Sequence, residues 1–145
     1  MINLSKEATV GKALTPIAIL MMLSFPVASQ AAGLVIKNGT VYNANGVPVV
    51  DINKPNGSGL SLYFWYYLIV DKNGVVFNNS ANESSTSLAG NIQGNSNLTS
   101  GSAKVILNEV TSKNPSTING MMEVAGDKAD LNIANPNGIT LNGGG

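Results

Sequence analysis

Apolar residues follow two different patterns along this chain. Ala13–Val27 is one uncharged stretch rich in Leu, Ile, Met and Ala, set between Lys6 and Lys12 on one side and Ala28-Ser29-Gln30-Ala31-Ala32 on the other. From Ala32 onward, Val, Ile and Leu arrive in short bursts bounded by Asn, Gly, Ser and Thr. Asn and Gly make turns because they tolerate positive φ, and β-branched bursts between them read as strands. The bursts predict strands at Val47–Ile52, Leu60–Val70, Val75–Asn78, Ala103–Val110, Met121–Ala125, Ala129–Ala134 and Ile139–Leu141. Nothing beyond Ala32 sustains an apolar period of about 3.6 residues, so the domain is expected to be all-β.

The leading segment has the layout of a secretory signal peptide: a basic flank, an apolar run and small residues before a cleavage site, here expected after Ala31. A transmembrane anchor is the competing reading. Spanning a bilayer takes about 20 apolar residues, and this run is shorter and contains Pro16 and Pro26. The expected division is residues 1–31 as the signal, which enters the general secretory machinery, and 32–145 as the exported domain.

Turn signals recur along the exported part. Pro55-Asn56-Gly57 and Pro136-Asn137-Gly138 both put proline at the first corner, Asn at the second and Gly at the close. Ala103-Lys104-Val105-Ile106-Leu107-Asn108 also matches Ala129-Asp130-Leu131-Asn132-Ile133-Ala134 in pattern, 26 residues on. Short strands, Asn/Gly corners and a coil-sized interval suggest a β-solenoid. A Greek-key sandwich would scatter short strands similarly, and the pattern leaves both open.

Composition narrows the chemistry. Residues 32–145 hold six Lys, seven acids and 19 Asn, with no Arg, His or Cys. Without cysteine, an exported domain must draw its stability from core burial and backbone pairing. Imidazole-assisted nucleophiles and the usual Zn or Cu ligand sets are excluded. A near-neutral, Arg-free domain argues against nucleic-acid binding. No run of oxygen ligands suits Ca²⁺, so no metal or cofactor is expected. Asp127 and Asp130 are the closest acidic pair that glycoside hydrolysis could use. With Lys128 between them, they read better as solvated turn charges.

Four ordered blocks carry a family resemblance: Val49–Ser61 ("VVDINKPNGSGLS"), Asp71–Ser80 ("DKNGVVFNNS"), Leu88–Leu98 ("LAGNIQGNSNL") and Ala103–Gly145. Together they resemble the N-terminal secretion domain of two-partner-secretion exoproteins: the filamentous haemagglutinins, haemolysins and contact-dependent growth inhibition toxins. The resemblance implies a right-handed parallel β-helix with an N-terminal β cap. It also implies recognition by the periplasmic domains of an outer-membrane transporter, and β-helix nucleation outside the cell, where early coils template later ones. Family members continue well beyond this length, so the β-helix is expected to be incomplete at its C-terminus, with the Ile139–Leu141 edge open and prone to associate. A host-cell or glycan target would belong to that downstream region.

The family's two Asn-Pro-Asn motifs map onto Asn95-Ser96-Asn97-Leu98 and Asn135-Pro136-Asn137-Gly138. Each reads as a coil corner in preference to a transporter contact. Ser96 replaces the proline of the first, which should weaken that turn without abolishing it, by roughly 0.4–1 kcal/mol.

Leu60–Val70 ("LSLYFWYYLIV") departs from the family, which is more polar here and typically has Ser-His-Asn near the start of the segment. Both alternating faces are apolar or aromatic, and such a strand must be covered on both sides or becomes an aggregation hazard. Three readings stay open: an altered buried strand, a local change of reading frame, or a functional aromatic patch of Tyr63, Phe64, Trp65, Tyr66 and Tyr67. The expected function is a non-catalytic secretion-targeting domain. A small carbohydrate-binding adhesin using Tyr63–Tyr67 is the alternative, and a β-helix polysaccharide lyase or hydrolase comes third.

Overall fold

The structure, a computed structural model, describes residues 33–143, so the expected signal segment and its cleavage site at Ala31 lie outside the described residues. Every regular element described is a strand: β1 Leu34–Ile36, β2 Thr40–Ala44, β3 Val47–Asp51, β4 Leu60–Leu68, β5 Val75–Asn79 and β6 Ser84–Thr86. After these come β7 Gly90–Ile92, β8 Val105–Val110, β9 Ser116–Ile118, β10 Met122–Gly126, β11 Asp130–Ala134 and β12 Ile139–Leu141.

Parallel pairing joins these strands into three faces. On the first, β3, β5 and β10 stack with Val49 opposite Val76 and Val75 opposite Met122. On the second, β4, β8 and β11 stack with Leu60 opposite Val105 and Val105 opposite Asp130. The third pairs β9 with β12, while Val70 bridges to Ile118 in the same sense. The chain visits the faces in turn and returns to the first one level along. That is a parallel β-helix, and it removes the sandwich alternative, whose sheets pair antiparallel.

The cap is antiparallel. β2 lies on β3 and β1 on β4, closing edges that would otherwise recruit other strands. β1 reaches only the second half of β4. Ahead of it, Asn38 Oδ1 accepts from the Phe64 N–H at 2.7 Å and Asn53 Nδ2 donates to the Leu62 carbonyl at 2.9 Å, so asparagine side chains continue the cover.

Alternate residues point into the coil, as the two-residue strand period requires. Ser61, Tyr63 and Trp65 of β4 and Ile106, Asn108 and Val110 of β8 are buried there with Val50, Phe77, Leu68 and Ile118. Trp65 Nε1 donates to Asn108 Oδ1 at 3.0 Å, and Asn108 Nδ2 donates to the Asn132 carbonyl at 3.2 Å. A buried amide thus links three successive levels of the second face with its polar groups paired.

Outside the coil, Val47, Val49, Val76 and Ala125 would leave the first face apolar. The antiparallel β6–β7 hairpin covers them with Ala89 and Ile92. Its tip is held by the Glu123 carboxylate, which accepts from the Ser87 and Leu88 N–H groups at 2.9 and 3.0 Å. Asn45 Nδ2 adds a 2.6 Å bond to the Ala89 carbonyl.

Three expectations need correction. The 26-residue match slips by one, because Val105 stands opposite Asp130 and Ile106 opposite Leu131, an offset of 25. A one-residue slip exchanges inner and outer faces, and only the observed register keeps Ile106 and Leu131 inside together. Leu60–Val70 is not one uninterrupted strand: pairing with β1 jumps between Val35–Tyr67 and Ile36–Trp65, and this bulge leaves Tyr66 and Tyr67 both outside while Leu68 turns in. Nor is β4 buried on both sides, since Leu60, Leu62 and Phe64 on its outer face are only half-buried.

Candidate functional site: coil corners and the outer surface

Each coil corner is built on a short polar side chain that accepts a backbone N–H two residues ahead, the Asx turn. At Asn95-Ser96-Asn97-Leu98, Asn95 Oδ1 accepts from the Asn97 N–H at 2.9 Å and the Leu98 N–H donates to the Asn95 carbonyl at 3.2 Å. Asn135-Pro136-Asn137-Gly138 repeats both bonds at 2.9 and 3.1 Å. Serine in place of proline therefore leaves the hydrogen-bonded turn intact.

The amides also tie each corner to its neighbours. Asn95 Nδ2 donates to the carbonyls of Ile52 and Asn78 at 2.8 and 3.0 Å, and Asn97 Nδ2 donates to Ile52 at 3.1 Å. Asn135 Nδ2 reaches the Asn114 carbonyl and Ser116 Oγ, both at 2.9 Å, while Asn137 Nδ2 reaches the Ser112 carbonyl at 2.7 Å. Asn95 and Leu98 are buried, Ser96 and Asn97 exposed; in the second motif Asn135 is half-buried and Pro136, Asn137 and Gly138 are exposed.

Two further corners share this build, one at the turn signal Pro55-Asn56-Gly57 and one, at Asp71, that was not expected from sequence. Asn56 Oδ1 accepts from Ser58, and the Gly59 N–H closes onto the Asn56 carbonyl at 2.9 Å. Asp71 Oδ1 accepts from Asn73, and Gly74 closes onto Asp71 at 3.0 Å. The expected likeness of Pro55-Asn56-Gly57 to Pro136-Asn137-Gly138 is thus displaced: Asn56 opens its turn and Pro55 precedes it, whereas Pro136 sits inside its turn. At Asp71–Gly74 the coils approach so closely that a Cβ on Gly120 would collide with the Asp71 carbonyl. An Asn or Asp followed three residues later by Gly marks three of the four corners, at Asn56, Asp71 and Asn135, whereas the fourth residue of the Asn95 turn is the buried Leu98.

The five aromatics do not form one surface. Tyr63 and Trp65 are fully buried, Phe64 is half-buried, and only Tyr66 and Tyr67 are open, at 48% and 42% exposure. The strand period and the bulge divide them, so Trp65 cannot touch an outside ligand in this fold. Lys37 Nζ lies 4.5 Å from the centre of the Tyr66 ring. Among the described residues the Tyr63 hydroxyl is buried without a well-formed hydrogen bond, though near Ser61 and the Asn53 backbone, and burial raises its pKa well above the ordinary tyrosine value, a rise those two neighbours only partly offset.

Asp127 and Asp130 do not share a cleft. Asp127 accepts from Ser102 Oγ at 2.6 Å, whereas Asp130 lines a shallow surface with Lys104 and Lys128. Among the described residues, no three His, Cys, Asp or Glu side chains gather as a metal site. Burial raises the pKa of Asp51 on β3, partly offset by the Asn78 amide; burial and then the Asp51 charge raise that of Tyr42 on β2.

A capped parallel β-helix with Asx corners and an extra-helical hairpin is the architecture of an exoprotein secretion domain. Residues 27–145 match the family model described as the TPS secretion domain, and the chain belongs to that family. It is 43% identical over 120 residues to filamentous hemagglutinin of Bordetella pertussis, covering 81% of this chain and 3% of that protein. It is 39% identical over 143 residues to a hemolysin of Serratia marcescens, covering 95% and 9%, and 40% identical over 137 residues to the 16S rRNA endonuclease CdiA of Enterobacter cloacae, covering 91% and 4%. The crystal structure of the filamentous hemagglutinin secretion domain superposes with a TM-score of 0.73 at 43% identity, over 77% of this chain and 38% of that one. The chain spans less than a tenth of the length of these three full-length relatives.

Proposed function

We propose that this domain targets a large exoprotein for export: the periplasmic domains of a cognate outer-membrane transporter recognise it, and its coils nucleate β-helix folding outside the cell. Its relatives suggest the passenger class, an adhesin, haemolysin or growth-inhibition toxin, whose activity lies in other parts of those proteins. We read the domain as non-catalytic, delivered to the periplasm by the segment ending at Ala31 and then to the cell surface or medium. The observation that carries this reading is the antiparallel cap over an otherwise repetitive parallel stack. Among the described residues it closes one end, and β10, β11 and β12 stand at the opposite edges, where further coils can pair with them as a template. The parallel pairs β5–β10, β8–β11 and β9–β12 each join successive levels, which suits folding as the chain emerges.

Direct binding tests the recognition step. The periplasmic domains of a cognate transporter, titrated with the protein in a calorimeter, should show saturable association. Absence of binding by the folded protein would remove the transporter from the proposal. The glycan-adhesin alternative loses its central residue, since Trp65 is enclosed.

A further inference from the structure

Between the outer surface of the cap and the strand returning from the hairpin lies a cleft of about 410 Å³. Tyr42, Asp51, Asn91 and Gln93 supply its polar lining, over Ala44 and Ile92. Asp51 is the only charged residue among the lining groups. Among the described residues, its carboxylate takes one hydrogen bond, from Asn78 Nδ2 at 3.0 Å, and pairs with no cation. Asn78 is itself fixed by a 2.9 Å bond to the Gln93 carbonyl, so the carboxylate is positioned by both walls. The side-chain amides of Asn91 and Gln93 make no hydrogen bond to other described residues, leaving donors and acceptors free at the rim.

We propose that this cleft binds a guanidinium or ammonium group, with the Asp51 carboxylate as its counter-ion and Tyr42 as its aromatic wall. A carboxylate partly removed from water is costly until an opposite charge with hydrogen-bond donors reaches it. A cation near an aromatic ring gains further from the ring quadrupole. A guanidinium also matches a carboxylate's two oxygens with two parallel donors. A neutral hydroxyl-rich ligand could fill the hydrogen bonds but would leave the charge uncompensated. Asp51 ionises at higher pH than an ordinary aspartate because it is buried. Tyr42 is the other titratable group facing it; β5 and Gly90–Gly94 contribute none. The site stands independently of the export reading and would serve whatever basic partner meets this face.

Nuclear magnetic resonance titration of the labelled protein tests the assignment, with N-acetylarginine amide, N-acetyllysine amide and the neutral isostere N-acetylcitrulline amide as probes. The backbone signals of Tyr42, Asp51 and Gly90–Gly94 should move with the two cations and respond about tenfold more weakly to citrulline, a difference of about 1.4 kcal/mol. Asp51→Asn keeps an acceptor for Asn78 and should abolish the preference, while Asp71→Asn at an exposed corner should keep it. Acidification should weaken the arginine response as Asp51 gains its proton. An arginine within a glycine pentapeptide that binds more tightly than the single residue would place the cation on a polypeptide; equal binding would make it a small molecule. No movement at about 10 mM cation, above the millimolar affinity one side chain can supply, would overturn the proposal. So would an equal response to citrulline, movement with maltose alone, or a preference that survives Asp51→Asn.

Discussion

Replacing Asn95 by alanine should cost far more stability than the same change at Asn135, although the two open equivalent turns. Asn95 is 1% exposed, and its side chain makes three hydrogen bonds of 2.8–3.0 Å, to the Asn97 N–H and the carbonyls of Ile52 and Asn78. A typical intramolecular hydrogen bond contributes about 0.5–1.5 kcal/mol net, and buried partners left unpaired add a desolvation cost. Asn97 Nδ2 still serves the Ile52 carbonyl, so the loss at Asn95 should be about 2–4 kcal/mol. Asn135 makes comparable bonds, but they lie at a half-open corner where water can replace the lost amide. Its loss should be about 1 kcal/mol. Urea unfolding followed by tryptophan fluorescence, with Trp65 as the single reporter, gives both values. Equal losses, or a larger one at Asn135, would refute the argument that burial sets the weight of these corners.

Ser96→Pro should stabilise the protein by about 0.4–1 kcal/mol, because Pro136 occupies the same place in an equivalent turn; a lower unfolding midpoint would show that the backbone at 96 does not accept proline. Tyr63→Phe removes a buried hydroxyl without a well-formed hydrogen bond among the described residues, and stability should rise by about 1 kcal/mol; destabilisation would reveal a bond that the hydroxyl makes. Asp51 has a raised pKa in the folded state, so its contribution is fully present below the unfolded-state pKa and is lost as pH rises through the folded one. The wild type should therefore weaken relative to Asp51→Asn as pH climbs across that window, and a constant difference between the two unfolding curves would refute the sign.

The apolar bursts revealed the seven strands whose inward residues are mostly Val, Ile, Leu or aromatic, with ends misplaced by at most two residues. β6 (Ser-Ser-Thr), β7 (Gly-Asn-Ile) and β9 (Ser-Thr-Ile) carry no such burst, and they become strands because neighbours offer a ladder. β1 (Leu-Val-Ile) is an apolar burst that adjoins the small residues of the leading segment, and β2 (Thr-Val-Tyr-Asn-Ala) buries only Val41, so its pattern does not stand out from the turns around it. Asn108 lies within an expected strand and Asn79 one residue past another, but nothing in the apolar pattern marks either as buried, with its amide bonded to adjacent chain levels. The bulge after Trp65 was illegible for another reason: five consecutive aromatics all favour strand, and only the register against β1 decides which face each takes. The Asn95 and Asn135 motifs were legible as corners, whereas the cleft beside Asp51 was not, because it joins residues of the cap to the strand returning from the hairpin.

The most direct test of the account is export itself: the fraction of this protein reaching the medium, with a cognate outer-membrane transporter co-expressed and without it. The account predicts periplasmic retention in its absence and release into the medium in its presence. Equal release in both conditions, or retention despite a functional transporter, would contradict it.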